Sequence, residues 1–174
     1  MEDFIYIFEN KQTLANHQNM SDKLVKLNQK NLNILLIDDI LKADSLNLML
    51  NHYSGYQISF YAANNREALN ILRNNQIHLI ISDIQHPDGG LYDLHKKLVA
   101  DPVFSQIPVV VFSDYPMYFE GELTMVWKEI FDLDYKYYLE KEAINEQLIS
   151  LIDKAYIENY FILNALYQYQ KQPE

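Results

Sequence analysis

IHLIISDIQHPDGGL, residues 77–91, is the stretch on which the reading of this chain turns. Its first half is an almost unbroken apolar run, the pattern of a strand buried on both faces. The run ends on one carboxylate, Asp83, and then breaks into His86, Pro87, Asp88, Gly89 and Gly90, a turn composition. An acid at the mouth of a buried strand is either a cap for the next turn or a working group.

Outward from this stretch the chain alternates. NILLID (33–38), QISFYA (57–62), IPVVVFS (107–113) and YKYYLE (135–140) read as further strands. Between them ILKADSLNLMLNHYSG (40–55), NNREALNILRNN (64–75), GLYDLHKKLVA (90–100) and the poorer MYFEGELTMVWKEIF (117–131) read as helices. Gly55 closes the first of these. Asn64 caps the second, with Glu67 as the capping-box acid. Alternation on this scale predicts an α/β fold, a mostly parallel sheet covered by helices on both faces. The continuously apolar first, third and fourth strands are expected at its centre, and the more polar second and fifth at its edges.

Three regions follow: an N-terminal extension at 1–31, the alternating domain at 32–155 and a C-terminal helical extension at 156–174. In the first, FIYIF (4–8) reads as a short strand or an apolar anchor, followed by a Gln-, Asn- and Lys-rich segment. In the last helix, apolar residues recur at Ile144, Leu148, Leu151, Ala155, Ile162, Leu166 and Tyr169, with Asn159 interrupting the stripe. A single helix of that length is expected to overhang a small domain. Its apolar surface would then be buried by folding back, by a second copy or by another protein, and a homodimer through this helix is the outcome expected.

Bulk composition narrows the function. The 174 residues are 49% hydrophobic and 22% charged, as in a globular domain. Acids outnumber Lys and Arg by 24 to 14, for a net charge of -10, which argues against direct nucleic-acid binding. The absence of cysteine excludes thiol catalysis, disulfides and Cys-ligated zinc. No apolar run reaches membrane-span length and the N-terminus lacks the basic start of a signal peptide, so a cytoplasmic protein is expected. With four glycines in the whole chain there is no Gly-rich phosphate loop.

Parallel sheets bind ligands beyond the carboxyl ends of their strands. There the sequence places Asp38 and Asp39 after the first strand, Asp83 after the third, Ser113 at the end of the fourth and Lys141 after the fifth. Clustered carboxylates repel one another unless a hard cation joins them, and oxygen ligands on short stems suit Mg²⁺. Lys141 and Ser113 add a positive charge and a hydroxyl donor, suited to phosphoryl oxygens. The Asp83 carboxylate is then a nucleophile able to become an acyl phosphate.

LLIDD, LIISDIQHPDGGL, IPVVVFS and YYLEK together resemble the receiver domain of two-component response regulators, over about residues 32 to 155. The interval from Asp39 to Asp83 is typical of that family. The resemblance implies a doubly wound five-stranded parallel sheet of order 2-1-3-4-5. It implies Asp38 and Asp39 as metal-binding acids, Asp83 as phosphoacceptor and a further metal ligand in the Gln85 backbone carbonyl. It also implies Ser113 as switch hydroxyl, Tyr138 as switch aromatic and Lys141 as the phosphate-binding lysine. A receiver of this kind takes a phosphoryl group from a histidine kinase or phosphotransfer protein. It catalyses its own phosphorylation and dephosphorylation, and signals to a downstream protein target. The residues after 155 are too few for a DNA-binding output domain, so a stand-alone receiver is expected.

The departures from the family pattern are specific. Glu142 stands where the family usually has Pro after the lysine, and Asp114 where it usually has a small residue. The HPDGG loop is one residue shorter than the common form, and the Ser113 to Lys141 interval is longer. These motivate an alternative, a pseudo-receiver that kept the fold and lost the switch. A haloacid-dehalogenase type enzyme also uses an Asp nucleophile and Mg²⁺, but its second Asp two residues on is missing, since Ile84 and Gln85 follow Asp83. His86 lies close enough to Asp83 to modulate its pocket. The spacing of His78, His86 and His95 does not form a histidine metal site.

Overall fold

The computed structural model describes residues 32–114, 136–141 and 146–170, with backbone only at 40–42, 161, 169 and 170. The expectations for residues 1–31, for MYFEGELTMVWKEIF and for Glu142 lie outside these. The apolar runs become β1 (Ile34–Ile37), β2 (Ile58–Ala62), β3 (Leu79–Ser82), β4 (Val109–Ser113) and β5 (Tyr137–Glu140). They form one five-stranded sheet of order β2-β1-β3-β4-β5 in which every pairing is parallel. All residues of β1, β3 and β4 are buried, while β2 and β5 mix buried with partly or fully exposed residues. The centre and edges therefore fall where strand polarity predicts them.

Among the described residues four α-helices cover the sheet: α1 (Ile40–Ser54), α2 (Asn65–Asn74), α3 (Gly90–Val99) and α4 (Glu146–Gln170). The start of α2 has the predicted Asn64 cap, with Glu67 reaching back one residue beyond it. Glu67 N–H donates to Asn64 Oδ1 at 2.9 Å, and Glu67 Oε2 accepts the Ala63 N–H at 3.0 Å. One face of the sheet packs Leu35, Ile37, Ile80 and Val111 against α2 and α3 through Leu69, Leu72, Leu91 and Leu94. The other packs Ile34, Leu36, Ile81 and Val110 against α1 and the first half of α4 through Leu46, Leu50, Leu148 and Ile152.

The last helix departs from expectation. It is one uninterrupted helix of 25 residues, running through Ala155 and Tyr156 without a break. It does not overhang: Leu163 and Tyr167 are buried in the α2/α3 core although Leu148, Ile152 and Tyr156 belong to the α1 core. The helix thus passes the amino end of the sheet, where Tyr167 Oη donates to the Ile77 carbonyl at 2.5 Å. The buried stripe runs Leu148, Ile152, Ala155, Tyr156, Leu163, Tyr167, one residue out of phase with the expected Ile162 and Leu166. Ile162 is instead 48% exposed. Asn159, the supposed interruption, donates within the helix to the Ala155 carbonyl at 2.8 Å and lets the stripe continue at its natural period. Part of the apolar surface of this helix, at Tyr156, Leu163 and Tyr167, is therefore covered within the chain, while Ile157 and Ile162 stay exposed.

Candidate functional site

The parallel ladder carries on past the strand ends and fixes what stands beside what. Asp38 N–H donates to the Ala62 carbonyl (3.3 Å), Asp83 N–H to Ile37 (2.9 Å) and Lys141 N–H to Ser113 (2.8 Å). Residues that follow four different apolar runs are thereby brought to one crevice at the carboxyl end of the sheet.

Lys141 is its centre. The ammonium lies 2.8 Å from Asp38 Oδ2, 2.6 Å from Asp83 Oδ2 and 3.6 Å from Asp114 Oδ2. Its side chain is 8% exposed, with Asp38 at 7%, Asp83 at 16% and Asp114 at the rim at 57%. Burial works against the ammonium, but its bonds to Asp38 and Asp83 outweigh that and raise its pKa above the usual lysine value. Asp83 Oδ1 accepts from Ser113 Oγ at 2.9 Å and from the Ile84 N–H at 2.6 Å. The Asp83 carboxylate is thus held by donors on both oxygens and reaches solvent at its edge.

The other expected site residues are placed less centrally. Asp39 is exposed, and its N–H donates to Asp38 Oδ1 at 2.6 Å. Gln85 is exposed in the loop after Asp83. Tyr138 is half-buried against the α2/α3 core; burial foremost, then Glu140 and Asp83, push its hydroxyl above the usual tyrosine value. Among the described residues no three acid or imidazole side chains already point at one cation position. The chemistry of the donor set still suits a hard cation: three carboxylates with short stems, Asp38, Asp83 and Asp114, gather within 3.6 Å of one ammonium.

Sequence reasoning missed a polar chain under the acceptor loop. Ser82 Oγ, at the end of β3, lies 2.7 Å from the Asp83 carbonyl and 3.1 Å from His86 Nε2, and its one proton serves either acceptor. His86 Nδ1 is 2.9 Å from Oδ1 of Asn65, the fully buried first residue of α2. Burial holds the His86 imidazole below its usual pKa against the pull of Asp83 and Asp88. With both ring nitrogens engaged, His86 is a tie in the loop. The available signals were Ser82, a polar residue closing an apolar strand, and Asn65, a second Asn after the cap at Asn64.

No protein-family model and no curated protein matches the chain. Solved structures do. The receiver domain of a signal transduction histidine kinase from Syntrophus aciditrophicus superimposes with a TM-score of 0.61 at 23% identity, covering 82% of this chain and 94% of that one. A CheY-like receiver domain protein from Methanospirillum hungatei JF-1 gives 0.59 at 21% identity, covering 74% and 96%. A response regulator receiver protein from Pseudomonas putida gives 0.55 at 21%, covering 71% and 95%. The chain has the receiver-domain fold, a doubly wound α/β sheet. Among the described residues no helix is long and apolar enough to cross a membrane.

Proposed function

We propose that this protein is a phosphoacceptor receiver that takes a phosphoryl group onto Asp83 from a phosphohistidine on a histidine kinase or phosphotransfer protein. The observation that carries the reading is the hold on the Asp83 carboxylate by Lys141 Nζ at 2.6 Å and Ser113 Oγ at 2.9 Å. In the transfer an Asp83 oxygen forms the new O–P bond as the P–N bond to the donor imidazole breaks. The donor nitrogen keeps the electron pair. Lys141 and Ser113 then have the charge and the hydroxyl to follow the phosphoryl oxygens. Mg²⁺ would be held by Asp38, Asp39, Asp83 and the Gln85 carbonyl, and would neutralise the charge on the transferred group. Attack of water on phosphorus releases inorganic phosphate and restores Asp83. Output is by contact with a downstream protein, Ser113 and Tyr138 relaying the change.

Intact mass after treatment with acetyl phosphate tests this. One Mg²⁺-dependent phosphoryl adduct is expected in the wild type and none in Asp83→Asn; an equal adduct in that variant overturns the assignment. Asp114 favours a second reading, a binding module that no longer switches, because its carboxylate stands 3.6 Å from Lys141 and competes with an incoming phosphoryl group. That reading expects no adduct in the wild type and its recovery in Asp114→Ala. Pairing of two copies through α4 would draw on the exposed Ile157 and Ile162, and light scattering of the full chain decides it.

A further inference from the structure

Gln85 sits between two anchored neighbours. Ile84 is buried, its N–H donates to Asp83 Oδ1 (2.6 Å) and its carbonyl accepts the Leu91 N–H (2.8 Å). On the other side His86 is clasped between Ser82 and Asn65. Asn65 is itself immobilised: its Nδ2 donates to the Gly90 carbonyl (2.8 Å), and its N–H donates to Asp88 Oδ1 (2.7 Å). The neighbouring Arg66 N–H reaches Asp88 Oδ2 at 3.1 Å. With Nδ2 committed to Gly90, the amide turns its Oδ1 to His86, whose Nδ1 donates the proton; His86 Nε2 is then an acceptor for the Ser82 hydroxyl, whose one proton is shared between it and the Asp83 carbonyl. The start of α2 and the loop from Asp83 to Gly90 are therefore laced to each other.

The peptide unit joining Gln85 to His86 is planar, so the Gln85 carbonyl and the His86 N–H cannot turn independently. A ring held at His86 restricts the direction of the Gln85 carbonyl. We propose that the Ser82–His86–Asn65 tie is a positioning device that presets the Gln85 carbonyl as a cation ligand, with His86 and Asn65 as its positioning residues. This rests on the cation reading given above. A hard cation such as Mg²⁺ binds best where its ligands are already arranged, because its near-octahedral geometry tolerates little error. Residues that orient a ligand without touching the metal typically change its affinity by about 10- to 100-fold.

The test uses the full chain in four forms: wild type, His86→Phe, Asn65→Ala and the double variant. Calorimetric titration with Mg²⁺ is expected to show about tenfold weaker binding in each single variant. The double variant should be no weaker than the worse single one, since both break the same tie. In metal-free protein, amide exchange over residues 85–90 should quicken in all three. His86→Gln, whose amide offers a donor and an acceptor, should recover part of the affinity; failure to do so while it folds counts against the tie. Thermal melts identify a variant that has simply lost its fold, and the remaining variants then decide. Wild-type Mg²⁺ affinity in both single variants, or losses that add in the double, overturns the proposal while leaving the phosphoacceptor reading intact. No binding by the wild type overturns the cation reading itself, and Asp39→Ala, expected to weaken Mg²⁺, marks that failure separately.

Discussion

At the carboxyl end of the sheet, Asp38, Asp83, Ser113 and Lys141 arrive from four strands and crowd like charge around one ammonium. At the amino end the same sheet is closed. Asn33 N–H donates to His78 Nδ1 (3.0 Å), Asn33 Nδ2 to the Gln76 carbonyl (2.7 Å) and Tyr167 Oη to Ile77 (2.5 Å), under the second half of α4. One end keeps charges that a well-packed domain would not choose, and the other spends a helix on covering polar backbone. Charges retained without full compensation are what a ligand site requires; pairing and burial are what stability requires.

Removing the shared cation should expose that difference most strongly. Lys141→Met leaves the largely buried Asp38 and the half-buried Asp83 without a counter-charge, and urea unfolding should show a loss of about 3 kcal/mol. Unchanged stability would mean that the carboxyl end is already compensated by other means. At the closed end, Leu163→Ala should cost about 2–5 kcal/mol by leaving a cavity beneath α4, read from the same unfolding curves. A cost near zero would mean that the second half of α4 adds nothing to the core. Tyr167→Phe leaves the buried Ile77 carbonyl without its donor, for a loss of about 1–3 kcal/mol. Faster amide exchange near the amino ends of the strands should accompany it.

The smallest effect expected is one of pH. Burial holds His78 below its usual pKa, and its Nδ1 accepts a backbone N–H that a protonated ring could not accept. A depressed folded value means the contribution is complete above about pH 6.5, the ordinary histidine value, and is lost as pH falls through the lower folded one. The melting temperature should therefore drop on acidification in the wild type, and drop less in His78→Gln. Equal drops would show that other groups set the pH dependence.

Much of this was legible in local pattern. Unbroken apolar runs at 34–37, 79–81 and 109–112 place β1, β3 and β4 inside a parallel sheet, because a strand covered on both faces has no polar side to show. The positions of Asp38, Asp83, Ser113 and Lys141 were legible for the same reason: the polar groups that close each run must lie at the sheet's carboxyl end. Asn65 was not legible. Nothing in NNREAL distinguishes an Asn exposed on a helix start from one wholly buried, since that depends on a loop more than 20 residues away in sequence. In the sequence Asn159 reads as a break, which puts the expected phase of α4 beyond it one residue out. The stripe at Leu148, Ile152, Ala155, Tyr156, Leu163 and Tyr167 is regular once that position is allowed to be half-buried.

By itself the order of residues determined the alternation of strand and helix, the central and edge strands, the α2 cap and the set of groups at the strand mouths. Each follows from short-range steric and solvation rules that act within a few neighbouring residues. Only the tertiary structure decided that Lys141 bridges Asp38 and Asp83, that His86 is tied to Ser82 and Asn65, and that α4 closes the amino end of the sheet. Those depend on which distant segments share a volume, and a polar side chain takes its partner from whatever the packing brings within about 3 Å.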